Sequence, residues 1–183
     1  MEPIWTEALG SVNAYAEELE KDKDPSLEIG VTLAVFDAQD GLQFDVLRRK
    51  EKPKTWKPLT AEEASPRGMT PLFDAIGEIL TIAEKDDAER AVLVVMTDGE
   101  ENASRELTKE AVRARLDRAR NRGWEVIFLG AEFVNFADAS AVGVSAGKSM
   151  GVRRDRMEDA MRSLSQKSKA YGAAPASAPI EFD

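Results

Sequence analysis

Two apolar runs, AVLVVM at 91–96 and WEVIFL at 124–129, limit this chain more than any other feature. A strand with water on one face alternates apolar and polar side chains. AVLVVM has no polar position, and WEVIFL has one near its start, so each reads as a strand of a sheet covered on both faces. Between them lies a helical segment, residues 108–122, closed by Gly123. Strands that alternate with helices call for a largely parallel sheet with helices on both sides.

The remaining elements fit around this unit. Trp5, Leu9, Val12, Ala16 and Leu19 recur at three- to four-residue spacing and predict a helix over 3–22, with Glu7, Glu17, Glu18 and Glu20 on its wet face. IGVTLAVF (29–36) and the alternating Leu42, Phe44 and Val46 predict a hairpin turning at 37–41. Residues 48–69 are polar, contain proline and read as a long loop. Leu72, Ala75, Ile76, Ile79 and Leu80 mark a helix entered with Thr70 as N-cap and Pro71 in the first turn. A short helix at 133–139, a short strand at 141–145 and an amphipathic helix at 155–171 on Met157, Met161, Leu164 and Tyr171 follow. The domain is expected to end there, with the Ala/Pro/Ser-rich residues 172–183 as a disordered tail.

Composition removes whole classes of chemistry. With no cysteine there is no disulfide scaffold and no thiol nucleophile, and with no histidine the usual neutral-pH base and zinc ligand are gone. A metal here would be a hard cation held by oxygen. A formal charge of −9 disfavours a general nucleic-acid binder. No apolar run approaches membrane-spanning length, and MEPIWTEALG has neither a basic leader nor an apolar core, so the expectation is a cytoplasmic protein. Neither a GxxxxGK nor a GxGxxG phosphate loop is present, and no close carboxylate pair stands out for acid–base work.

Sheets of this kind bind ligands at the carboxyl ends of their strands. Two segments fall there: RGMTPLFDA (67–75) and VVMTDGEENAS (94–104). Asp98 follows the buried strand and Gly99 lets the chain turn, so the carboxylate is placed to hold a hard cation. Thr70 offers a hydroxyl from a loop that Gly68 lets bend. Each residue also has an ordinary role. Thr70 serves as a helix cap, Asp98 as an Asx turn, Glu100 and Glu101 as solvated charges, Asn102 as a turn cap and Asp74 as a carboxylate favoured by the helix dipole.

RGMTPLFDAIG followed by VLVVMTDGEENAS closely resembles the von Willebrand factor A family, in particular the small stand-alone bacterial and phage proteins of the tellurium-resistance type. WEVIFLGAE (124–132) looks like that family's next strand and rim loop. The resemblance covers about residues 2–171 and implies a doubly wound, mostly parallel sheet with an antiparallel edge hairpin. It also implies a metal-ion-dependent adhesion site built from an Asp-x-Ser-x-Ser loop, a Gly-x-Thr loop and a Thr-Asp-Gly loop. Thr70 matches the second and Asp98 the third. The first component, with the central strand that carries it, has no counterpart before the helix at Pro3. Either the natural chain starts upstream, or a short form has lost that strand. A full-length form would bind Mg²⁺, Mn²⁺ or Ca²⁺, and this chain weakly or not at all.

The resemblance implies a non-enzymatic protein–protein interaction module with an incomplete metal site. Its rim would comprise Arg67, Gly68, Glu100, Glu101, Asn102, Glu132 and Phe133, facing an unidentified protein partner. Loss of a central strand would expose unpaired backbone groups, repaired by direct pairing or by strand exchange in a homo-oligomer. The alternatives are a nucleic-acid-binding accessory protein using the basic residues 48–57 beside Trp56, and a metal-dependent hydrolase.

Overall fold

The computed structural model describes residues 2–21, 26–65, 68–97, 100–131, 137–145 and 148–174. The elements run α1 (Glu2–Glu20), β1 (Val31–Ala38), β2 (Leu42–Glu51), α2 (Leu72–Lys85), β3 (Val92–Thr97), α3 (Lys109–Asn121), β4 (Glu125–Ala131), α4 (Ala137–Ala141), β5 (Ser149–Val152) and α5 (Met157–Ala173). Short 3-10 turns also lie at Pro53–Thr55 and Arg154–Arg156.

The chain is a mixed α/β protein whose strands form two small sheets, the hairpin β1-β2 and a three-stranded sheet ordered β3-β4-β5. One continuous doubly wound sheet is not what these strands make. It would require the hairpin to pair with β3 or β5, and among the described residues β3 pairs with β4 alone. The chain divides into two compact units. Of the described residues, 2–21, 26–35, 45–65 and 153–174 form the first, and 36–44, 68–97, 100–131, 137–145 and 148–152 the second.

In the second unit β3 and β4 are parallel, in register from Val92 opposite Glu125 to Thr97 opposite Gly130. β4 and β5 are also parallel, Phe128 opposite Ser149 to Ala131 opposite Val152. Residues 125–130 of β4, flanked on both sides, are buried throughout, whereas β3 is only half-buried at every position but Val95. Leu72, Ile76 and Leu80 of α2 meet Val112, Leu116 and Ala119 of α3, Val126 and Phe128 of β4 and Val142. Each large apolar side chain so buried contributes about 1.5–3 kcal/mol.

Two sequence expectations shift here. Residues 141–145 are no strand: Ala141 ends α4, and Val142 and Val144 are buried plugs behind it, while β5 lies at 149–152. The predicted helix at 133–139 begins at Ala137, residues 132–136 lying outside the described set.

The first unit is organised on α1 and α5. The expected stripes hold, with Leu9, Ala16 and Leu19 buried on α1 and Met157, Met161, Leu164 and Tyr171 buried on α5. Tyr15 Oη donates to Ser168 Oγ at 3.0 Å and Ser165 Oγ to the Tyr15 carbonyl at 3.0 Å. Part of the stretch expected as a loop is strand, because β2 continues to Glu51. The rest is tied to α1: Asn13 Oδ1 accepts from Leu59 N at 2.8 Å and Trp56 Nε1 at 3.1 Å, and Trp5 Nε1 donates to the Ala64 carbonyl at 2.7 Å.

Glu18, expected on the wet face, is instead buried. Hydrogen bonds from Lys21 Nζ at 2.7 Å and Gln166 Nε2 at 3.0 Å hold its carboxyl at about 2, below the ordinary 4.5, with the Lys21 bond the larger cause. A depressed carboxyl stabilises the fold fully above its unfolded pKa, and that contribution disappears as pH falls toward the folded one. The urea midpoint of the wild type is therefore expected to drop between about pH 4.5 and 2 more steeply than that of Glu18→Gln. Parallel pH profiles of the two proteins would refute this.

Candidate functional site

The carboxyl end of β3 is where two non-adjacent loops meet. The first, residues 68–71, enters α2, and Gly68 makes its path feasible. With φ at +58° it is left-handed, and a Cβ there would lie 2.6 Å from the Ala38 carbonyl oxygen. The close pass lets Met69 bridge antiparallel to Ala38, leaving the Met69 side chain 49% exposed. The second loop, residues 100–107, follows β3 toward α3.

Asn102 ties the loops together. Its Oδ1 accepts from Thr70 N at 2.8 Å, and its own amide donates to the Thr70 carbonyl at 3.1 Å. One residue thus mimics a paired strand, fixing Thr70 through its main chain.

Thr70 does not cap α2. The cap position is Pro71, and no side chain of its own caps the helix. The free first-turn amides are satisfied from the second loop instead. Phe73 N donates to Glu101 Oε2 at 2.9 Å and to Ser104 Oγ at 3.0 Å, and Asp74 N to Ser104 Oγ at 3.1 Å.

Glu101, expected as a solvated charge, is half-buried at the centre of this network. Its Oε1 accepts from Ala103 N at 2.9 Å and Ser104 N at 2.8 Å, and its Oε2 also accepts from Ser104 Oγ at 2.7 Å. The Glu101 amide donates in turn to Asp138 Oδ2 at 2.8 Å. Glu100 and Asn102 are exposed, as is Gly68.

Asp74 does more than complement a dipole. It is 3% exposed, and its carboxylate accepts from Arg105 N at 2.8 Å, Glu106 N at 3.1 Å and Leu107 N at 2.7 Å. The Leu107 side chain then lies over Gly77 of α2, in space that a Cβ would occupy. No sequence motif announces Asp74 or Glu101, because their partners are backbone amides and every residue but proline has one.

The site therefore brings Gly68, Thr70, Glu101 and Asn102 together, while Arg67, Asp98, Glu132 and Phe133 lie outside the described residues. Among the described residues no group of three or more Asp or Glu could hold a metal ion. The chemistry agrees: the Asp74 and Glu101 oxygens already accept from main-chain amides, which competes with coordination. Of the two expected ligands only Thr70 is described, Asp98 lying outside the described residues.

The basic segment 48–57, weighed for nucleic acid, is partly consumed by the fold. Arg48 pairs with Glu63 Oε1 at 2.9 Å, and its guanidinium lies 5.7 Å from the Trp56 ring centroid. Trp56 itself packs with Leu9, Leu59 and Ala64 rather than standing free to stack on a base. Among the described residues no helix is long and apolar enough to cross a membrane. Compared with protein-family models and with curated proteins, the sequence matches none.

Proposed function

We propose that the chain is a non-enzymatic protein-interaction module of the von Willebrand factor A type, docking a protein partner on the rim around Gly68–Thr70 and Glu100–Asn102. The observation that supports this reading is the Thr70–Asn102 hydrogen-bond pair, which joins the two segments whose sequences carry the resemblance. The rim is held from behind by Asp74, Glu101 and Ser104, so its outward groups are pre-ordered. Pre-ordering lowers the entropy cost of docking. Met69, exposed beside Thr70, supplies an adaptable apolar contact.

In this reading the metal-ion-dependent adhesion site is incomplete and recognition does not depend on Mg²⁺. The outer edge of β3 is then where the opening strand of a doubly wound sheet would pair, and a strand exchanged from another copy would fill it.

The test is affinity capture on the immobilised chain beside its Met69→Glu variant, each in Mg²⁺ and in EDTA. Met69 is exposed, so the variant keeps the fold. Specific proteins retained at least tenfold better by the wild type, with or without Mg²⁺, are expected. Equal retention by the two chains overturns the docking surface. Retention that requires Mg²⁺, with a saturable calorimetric Mg²⁺ isotherm, overturns the incomplete-site reading.

A further inference from the structure

On the first unit, the ten residues 48–57 hold six of the chain's 25 Lys and Arg and one of its 34 Asp and Glu. Arg48, its side chain 11% exposed, works inside the fold. Its Nη2 donates to the Lys57 carbonyl at 3.1 Å and pairs with Glu63 at 2.9 Å, which closes the segment into a loop. Within the loop, Thr55 N and Oγ1 donate to the Lys52 carbonyl at 2.9 and 3.1 Å, and Trp56 N to the Pro53 carbonyl at 3.1 Å. The other five cations, Arg49, Lys50, Lys52, Lys54 and Lys57, are exposed. The backbone that carries them is therefore fixed while their charged ends are open to solvent.

Edge protection does not account for the cluster. Arg49 and Lys50 lie on β2, which among the described residues pairs with β1 alone, and charges there discourage edge-to-edge pairing. Lys52, Lys54 and Lys57 lie past the last residue of β2, Glu51, where no strand edge needs guarding. Solubility does not account for it either, since a chain at −9 gains nothing from gathering positive charge in one loop, where like charges repel. Lys52 meets Glu28 at 3.7 Å, but the two side chains are 69% and 87% exposed, and an incoming anion displaces so loose and wet a pair readily.

We infer that this loop contacts the phosphate backbone of double-stranded DNA without reading its sequence. Two observations select that partner. No apolar side chain of 48–57 is exposed: Pro53 is half-buried, and Trp56 packs with Leu9, Leu59 and Ala64. A protein interface is built round an apolar or aromatic anchor, a lipid surface favours inserted apolar groups, and single strands stack on aromatic rings. A duplex backbone is held by charge alone. Four of the five exposed cations are also lysines, point charges that lack the fork of a guanidinium and suit contacts that position without specifying. DNA repels the acidic remainder of the chain, so an approaching duplex is steered to this loop. The site does not rest on the rim reading, and either can fail alone.

Fluorescence anisotropy of a labelled duplex DNA of mixed sequence, titrated with the full chain between about 50 and 200 mM salt, tests this. Saturable binding is expected, weakening with salt on a log–log slope of about −4, since each phosphate neutralised contributes about −0.9. One chain carrying Lys52→Gln, Lys54→Gln and Lys57→Gln is expected to bind at least tenfold more weakly, with a slope shallower by about 2–3. The same three positions changed to arginine are expected to keep both affinity and slope. All three side chains are exposed, so both variants keep the fold. Three outcomes overturn the inference: no saturable binding, an unchanged affinity in the glutamine variant, or tighter binding to single-stranded DNA, polyglutamate or phosphatidylserine vesicles than to the duplex.

Discussion

Asp74→Ala is expected to lower the unfolding free energy by about 3 kcal/mol, since removal of an acceptor from a buried donor costs about 1–3 kcal/mol and three amides share this one. The carboxylate is the common acceptor for Arg105, Glu106 and Leu107 N–H, and only 3% of the residue is exposed. Water reaching the vacated space recovers part of the loss, which is why the figure lies below the sum of three orphan donors. Asp74→Asn separates charge from shape: its single carbonyl oxygen accepts where two carboxylate oxygens did, so an intermediate loss is expected. Urea unfolding of the three proteins measures this. A midpoint unchanged in Asp74→Ala would mean that the 105–107 segment is held by Leu107 on Gly77 rather than by the carboxylate.

Glu101→Ala is expected to cost about 2 kcal/mol and to act on the rim more than on the core. Glu101 caps Phe73 N from outside the helix and closes its own loop through Ala103 N and Ser104 N, so its removal opens both at once. Ser104 Oγ still serves Phe73 and Asp74, which keeps the loss below that of Asp74→Ala. Hydrogen exchange gives the location: the amides of Phe73, Ala103 and Ser104 should exchange at least tenfold faster, while those of β4 are unmoved. Uniform acceleration throughout the second unit would instead make Glu101 a general stability residue.

The elements that could be read from the chain are those whose side chains settle their own conformation. Helices α1 and α5 show their buried stripes at the expected residues, and β3 and β4 start one residue from where their apolar runs place them. β5 was not legible, because SMGV carries only two apolar residues while AVGVS, eight residues earlier, looks more strand-like and spends its valines on the core behind α4. β2 extends through LRRKE since partly exposed strand positions tolerate charge, which conceals a strand from an apolar pattern. At the rim, Thr70 and Asn102 could be nominated from their segments, but not their mutual bonds. The burial of Asp74 and Glu18 was hidden for one reason: a carboxylate looks the same in a sequence whether water or protein N–H groups surround it.

The outer side of β3 has a consequence for the material in a tube. A sheet stops growing where its last strand carries a charge, a proline or a bulge, and Val92–Thr97 has none of the first two and runs in unbroken register with β4. Restraint on lateral polymerisation then falls on colloidal repulsion between copies that each carry nine excess negative charges. Among the described residues β3 pairs on one side only, so salt that screens this repulsion is expected to lower the concentration at which a stock stays clear, as turbidity against ionic strength would measure.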